Sequence, residues 1–450
     1  MRAPPVTRSV AGHRMILIIH TSTATTQIQQ QLGRPEYSYR FVVDEFRPLL
    51  DELGIVIEVS DPQNEVDAIY ASCRRHGEDC VFLCFLPPNK TPIGLACPTI
   101  PIFAWEYEAL PSEAFGGKPR NDWTRVLAKL GAALTHSSFT VERTRAALGA
   151  DFPVACVPAP LWDRMQSLRG RSLGSVTLPI AGMVIDSRRT DLSMYRKSLM
   201  MAAQPDPLPL PENRHEYQGE LTLDGVLYTA IFNPHDARKN WLEMISAFCD
   251  ALRDKADATL LIKLTHYDPA DIIPNMLEQV YKMGRLSCRI VLVHAYLQKP
   301  EYDALLQATT YPVNTSHGEG QCLPLMEYMS AGKPAVAPCH TSMRDYINQD
   351  CAFVIDSSVE PGTWPHDQRQ AFRTLRQRIH YQSLVEAYGR SYHVARYEPE
   401  VYAAMGNAAT ASLQRYCSTA VVRPRLQRFI RDRLAISAAP VADSVHAKHT

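Results

Sequence analysis

HGEGQCLPLMEYMSAGKPAV, residues 317–336, joins a Gly-rich turn to an apolar stretch and sets Glu319 and Glu327 eight positions apart. Its punctuation predicts a helix over about residues 323–331. Pro324 suits a first helical turn because it has no N–H to leave unpaired, Gly332 suits a left-handed C-terminal cap, and Pro334 blocks continuation. YPVNTS (311–316) and PAVAP (334–338) read as the flanking strands. The amides of Gly320, Gln321, Cys322 and Leu323 then open a helix above the carboxyl end of a parallel strand, a place that binds phosphate. Glu327 closes the first turn of that helix, and Glu319 sits in the turn itself. Carboxylates there accept hydrogen bonds from hydroxyls, so the pair suits a sugar hydroxyl and a ribose hydroxyl on either side of a diphosphate. A Gly-rich turn before a helix with one Glu is also common where a loop merely enters a core, so spacing alone leaves both readings open.

Outward from this stretch, short apolar runs alternate with helical patterns: ILIIH, GIVIEV, VFLCFL, IPIFAW and AALTHS first, then GVLYTAIF, ATLLIKL and RIVLVHAYL. Alternation of that kind makes an α/β fold with parallel sheets. A chain of 450 residues exceeds one core, which stops growing near ~250–300 residues. The division expected is a flexible leader (1–14), a Rossmann-like domain (15–165) and an Arg-, Ser- and Pro-rich linker or insertion (166–218). A second Rossmann-like domain (219–395), C-terminal helices (396–436) and a disordered tail (437–450) follow. The residues after 365, including QRQAFRTLRQRI, read as helical and charged. Neither G-x-G-x-x-G nor the P-loop pattern occurs.

Lys+Arg and Asp+Glu are equal at 47 each, so no net field recruits nucleic acid. Eleven Cys are scattered from Cys73 to Cys417 without a C-x-x-C pair, which points to a reduced, cytoplasmic compartment and no zinc site. MILIIH (15–20) is too short to span a membrane and lacks a cleavage site, so neither a signal peptide nor a transmembrane helix is expected.

The stretch Glu319-Gly320-Gln321-Cys322-Leu323-Pro324-Leu325-Met326-Glu327, continuing to Gly332-Lys333-Pro334, resembles the signature of retaining GT-B glycosyltransferases of family 4. That signature runs Glu-Gly-x-Gly-Leu-Pro-x-x-Glu-Ala-Met-Ala-x-Gly-x-Pro-Val. Cys322 replaces its second Gly, Tyr328 and Ser330 replace Ala, and Ala335 replaces Val. The resemblance implies that Glu319 contacts the donor sugar, Glu327 the nucleotide ribose, and the Gln321–Leu323 amides the diphosphate. IFNPHDARKNW (231–241) is similar to the family's post-strand loop, whose cations clamp the diphosphate, so Arg238 and Lys239 are candidates. Phe232-Asn233-Pro234 stands where the family has Gly-Arg-Leu, which brings Asn233 into the site and reduces the clamp.

In IFAWEYE (102–108), Glu106 occupies the strand end where many relatives carry a His, and it could bind or deprotonate an acceptor hydroxyl; a structural carboxylate is the competing reading. Trp105 and Tyr107 read as packing residues. His317 flanks the cleft as a turn histidine or a ligand contact. No paired-Asp motif points to a metal, and no cofactor is expected. VVRPRLQRFIRDRL (421–434) fits either a basic helix on an anionic membrane or a terminal helix packed across both domains.

The function implied is a metal-independent hexosyltransferase. It would move a sugar from a nucleotide-diphosphate donor to a glycan or lipid-linked acceptor hydroxyl with retention. Its setting would be polysaccharide or cell-envelope biosynthesis, in the cytoplasm or peripherally at the inner face of the membrane. A nucleotide-sugar epimerase, a glycan phosphorylase and a non-catalytic sugar-nucleotide-binding scaffold are the alternatives.

Overall fold

The computed structural model describes residues 15–24, 28–170, 174–195, 217–365 and 367–438. The expected leader, the Pro-rich run at 205–211 and the tail from 439 onward lie outside them.

The first domain opens with β1 (Met15–His20), the short α1 (Ile28–Gln31), α2 (Ser38–Leu53), β2 (Gly54–Glu58) and α3 (Pro62–His76). It continues through β3 (Cys80–Cys84), β4 (Thr99–Phe103), α4 (Trp123–Leu130), β5 (Ala133–Thr135), α5 (Ser138–Leu148) and β6 (Val154–Cys156). The six strands form one sheet in the order β2-β1-β3-β4-β5-β6, every pair parallel. CVFLC and TIPIF are buried at every position because helices cover both faces, which is why they are continuous apolar runs. On α2 the stripe Val42, Val43, Phe46, Leu49 and Leu50 faces the core. Asp122 caps α4 by accepting from the Thr124 and Arg125 amides, and Gly131, at φ 70°, ends it.

The second sheet has the order β12-β9-β10-β11-β7-β8. Its parallel part is β9 (Val226–Phe232), β10 (Ala258–Leu264), β11 (Arg289–Ala295) and β12 (Tyr311–Pro312), with α6 (Trp241–Leu252), α7 (Ile273–Lys282) and α8 (Lys299–Ala308) between them. The expected linker needs correction here. Ser175–Asp186 forms a long strand, β7, antiparallel to β11 and to β8 (Tyr217–Asp224), so the second domain begins well before residue 219. The ion pair of Arg289 with Asp186, 2.8 Å and buried at both ends, fastens β7 to the sheet.

Next come α9 (Leu323–Ser330), β13 (Ala335–Pro338) and β14 (Ala352–Ile355). The helix predicted at 323–331 is present, with Gly332 at φ 91° behind it. The expectation of helix directly after residue 365 is overturned. Ser357–Thr363 (β15) and Phe372–Ile379 (β16) form an antiparallel hairpin. Helices follow only at α10 (Tyr381–Tyr397), α11 (Pro399–Cys417) and α12 (Thr419–Ala438).

Of the two readings of the basic terminal helix, packing is what the structure shows. Val422, Leu426 and Ile430 of α12 are fully buried in the core of the first domain. Their burial contributes roughly 2 kcal/mol each, and it uses up the apolar face that a membrane-lying helix would need. Among the described residues no helix is long and apolar enough to cross a membrane.

Candidate functional site

The two sheets face each other across a cleft of about 1710 Å3, walled by α2 and the loops after β4 and β5 on one side and by the loops after β9 to β12 on the other. Glu319, Glu327, Lys239, Arg238, Asn233, His317, Glu106 and the 320–323 turn all line it. The sequence-selected residues are therefore brought together around one opening.

The 317–323 turn is shaped by close approach of the two domains. A Cβ on Gly318 would lie 2.5 Å from the Glu106 carbonyl oxygen, and one on Gly320 would lie 2.5 Å from Ala104 Cβ. Only glycine lets this turn rest against the end of β4. Cys322, where the signature has Gly, sits at φ 64°, ψ 66° as the residue preceding α9. The signature's glycine thus answers a left-handed backbone, and this chain bears roughly 1–2 kcal/mol of strain there with a side chain. Among the described residues nothing accepts a hydrogen bond from the amides of Gly320, Gln321, Cys322 or Leu323. Four such donors at a helix start, on residues that line the cleft, suit an anion.

Glu319 is buried at the centre of a charge cluster. Lys239 Nζ donates to Oε1 at 2.6 Å and Arg238 Nη1 to Oε2 at 3.2 Å. Asn314 Nδ2 (3.0 Å) and Ser316 Oγ (2.5 Å) also donate to Oε1. Burial alone would raise its pKa, but Lys239 and Arg238 outweigh this and hold the carboxyl well below the usual range. Oε2 keeps one accepting position for a ligand hydroxyl. Burial pulls Lys239 down while Glu319 pushes it up, with a net rise, so this ammonium stays charged.

Arg238 also meets Asp236 at 2.9 Å and Glu106 at 3.6 Å. Burial raises the Glu106 pKa against the pull of Arg238, as suits a group that accepts a proton. Asn233 Nδ2 donates to the Gly33 carbonyl at 3.1 Å, joining the domains from the opposite wall. Trp105 packs at 4.7 Å from Trp123 and 5.4 Å from Tyr107, as expected of core aromatics.

Glu327 lies one helical turn inside α9. Arg164 donates to it at 2.6 Å and to Glu45 at 2.6 Å, while the Tyr302 hydroxyl holds its other oxygen. One partner on each oxygen leaves half of its accepting positions open. Gln321 Oε1 accepts from the Ala159 amide at 2.7 Å, tying the turn to the chain leaving the first domain. His317 is held as a turn residue. Its Nδ1 lies 2.7 Å from the Gln377 carbonyl, its own carbonyl accepts from the Gln377 amide at 3.0 Å, and burial lowers its pKa.

The hairpin strand β16 reaches both sides. Its Leu375 carbonyl accepts from the Glu108 amide at 3.2 Å, and Thr374 Oγ1 from the Ala109 amide at 3.0 Å. The same strand therefore carries the turn before Glu319 and the loop after Glu106. Trp364 Nε1 donates to the Ala109 carbonyl at 3.0 Å, and Arg369 and Arg373 both pair with Glu113 at 2.8 Å.

His136 was not singled out from its sequence. It follows β5, Nδ1 lies 3.1 Å from the Val157 carbonyl, and Nε2 is buried in the cleft wall with no partner among the described residues. Burial lowers its pKa to about 4. The signal was only a histidine at a strand end. Among the described residues no group of three or more His, Cys, Asp or Glu could hold a metal ion.

No protein-family model matches this sequence, and no curated protein does. Solved structures do. A sucrose-phosphate synthase from Thermosynechococcus elongatus is 13% identical, with a TM-score of 0.51 over 94% of this chain and 100% of that one. A UDP-forming α,α-trehalose-phosphate synthase from Burkholderia xenovorans, solved with glucose-6-phosphate, is 12% identical, with a TM-score of 0.51 over 93% and 100%. A glycosyltransferase from Rickettsia africae is 10% identical, with a TM-score of 0.51 over 94% and 99%. At these identities the likeness is one of fold: two Rossmann-like domains, a facing cleft and C-terminal helices, the GT-B architecture.

Proposed function

We propose that this GT-B chain is a retaining glycosyltransferase of the family 4 type, moving a hexose from a nucleotide-diphosphate sugar to a hydroxyl of a glycan or lipid-linked acceptor. One observation carries the reading: four amides that meet no acceptor among the described residues open α9 between Glu319, fixed by Lys239 and Arg238, and Glu327, fixed by Arg164 and Tyr302, on a single cleft. The amides suit a diphosphate, Glu319 a sugar hydroxyl and Glu327 the ribose. The GT-B architecture supports the same assignment.

Glu319 pre-positions the Lys239 ammonium and the Arg238 guanidinium where a departing diphosphate gathers charge; a donor of that kind is worth a few kcal/mol in the transition state. The acceptor hydroxyl would attack from the face the diphosphate leaves, with a leaving phosphate oxygen taking its proton. Glu106, facing Arg238 from the first domain, would orient that hydroxyl. We place the acceptor on the first domain and the work in polysaccharide or cell-envelope assembly. Any contact with a membrane would run through a lipid-linked acceptor and the exposed Arg425, Arg428 and Arg431 of α12.

The test is a panel of nucleotide sugars, first by thermal stabilisation, then by transfer to glycan acceptors with the product anomer read by NMR. Retained configuration with Glu319→Gln inactive supports the reading. An inverted product, nucleotide-sugar epimerisation, or phosphorolysis without nucleotide would each overturn it.

A further inference from the structure

Lys263 carries an ammonium that no carboxylate meets among the described residues. It occupies the last position but one of β10, in register with Ile231 of β9 and Val293 of β11. It is 7% exposed, and it lines the cleft with Ile231, Thr265, Tyr296 and Leu297. Among the described residues no hydrogen bond or ion pair reaches its ammonium. Burial alone draws its pKa down to about 8. Burial lowers the pKa of His294 on the neighbouring strand, with Lys263 adding to the fall, so this imidazole supplies no counter-charge.

Among the described residues the cations nearest Glu319 are already paired with carboxylates, whereas Arg34 of the cleft lies over the Tyr267 ring and Lys118 is exposed to solvent. Lys239 faces Glu319, Arg238 faces Asp236, Glu106 and Glu319, Arg164 faces Glu45 and Glu327, and Arg376 faces Glu360. Around Glu319 two cations confront three carboxylates, Glu319, Asp236 and Glu106, a balance of −1 before any ligand enters. A nucleoside diphosphate arriving there brings more negative charge and needs a cation not yet neutralised. A largely buried ammonium that opens only on the cleft loses part of its hydration and gains from a partner there, so its placement at this spot suits an anion.

Strand order supplies the geometry. Glu319 follows β12, the 238–239 loop follows β9, and Lys263 lies on β10, adjacent to β9 at the usual strand spacing of about 5 Å. We infer that Lys263 is a donor-binding residue whose ammonium pairs with a phosphate oxygen of the nucleoside diphosphate. This rests on the nucleotide-sugar reading given above. A base carbonyl is the competing target, but it offers only a dipole, whereas in a desolvated site the full phosphate charge gives the larger gain.

The experiment is calorimetric titration of wild type and Lys263→Met. Wild type is first screened with UDP, GDP and ADP, and the best base is then taken through nucleoside, monophosphate and diphosphate. Pairing with phosphate predicts at least a tenfold loss for the diphosphate in the variant and less than a twofold change for the nucleoside. The apolar replacement should keep or raise the melting temperature, which separates lost binding from lost folding. An equal loss for nucleoside and diphosphate would overturn the inference in favour of base contact. An unchanged diphosphate affinity would overturn it outright while leaving the nucleotide-sugar reading intact. Wild type that binds none of the three diphosphates would overturn that reading as well.

Discussion

Glu319 and Lys239 were chosen from sequence as reacting groups, yet their burial makes them structural too, and a double-mutant cycle on Glu319→Gln and Lys239→Met exposes both roles. The Nζ–Oε1 contact is 2.6 Å, and the two side chains are 16% and 4% exposed. With charge centres about 4 Å apart and an effective dielectric near 20, the attraction is roughly 4 kcal/mol before desolvation is charged against it. Lys239→Met leaves Glu319 with Arg238, Asn314 and Ser316. Glu319→Gln leaves Lys239 beside Arg238 with their shared anion gone. Each single change should cost roughly 3 kcal/mol, as breaking one side of a buried pair does. The double variant removes both charges and should cost about 4 rather than 6 kcal/mol, a coupling of about 2. Urea denaturation at constant m reads these values, and transfer assays on the same samples should show all three variants inactive. Additive destabilisation within about 0.5 kcal/mol would refute the pairing. Full transfer by either single variant would refute the catalytic assignment. Alanine at either position, in contrast, would confound the two effects.

Three further outcomes are expected. Gly320→Ala sets a Cβ 2.5 Å from Ala104 Cβ, so it should destabilise by about 1–3 kcal/mol and depress transfer, read by denaturation and assay; unchanged stability would contradict the close approach of the domains. Cys322→Val, with a β-branched side chain at φ 64°, should destabilise by more than about 1 kcal/mol, whereas Cys322→Gly should match or exceed wild type, measured by the same denaturation. Burial holds His136 and His340 near a pKa of about 4, against 6.5 for the free side chain. The unfolded chain therefore takes up protons first as pH falls, so stability present above about pH 6.5 is lost progressively toward pH 4, by up to roughly 3 kcal/mol per histidine. Denaturation midpoints across that range, in wild type and His340→Gln, check the slope.

Where local chemistry dictates conformation, the sequence was legible. Pro324 and Gly332 delimited α9 because a ring without an N–H and a left-handed cap act within a few residues. The parallel strands announced themselves as unbroken apolar runs. Ser175–Asp186 was hidden because its pairing with β8 spans an intervening polar segment, and its neighbours SRRTD and PDPLPLP suggested a connector. FRTLRQRI has the charges of an exposed helix, but pairing with Ser357–Thr363 and docking on the first domain decide its state, and neither partner is local. Glu106 and Arg238 were named separately, while their meeting depends on the closeness of two domains. Lys263 was passed over because a single Lys in ATLLIKL reads as a strand position until its burial and lack of a counter-ion are seen.

Strand β16 is bonded to His317 on one flank and to Glu108 on the other, so it works as a spacer bar between Glu319 and Glu106 on the two walls of the cleft. Substitutions that lengthen or soften the bar, distant from any ligand, should show up in turnover before they show up in affinity.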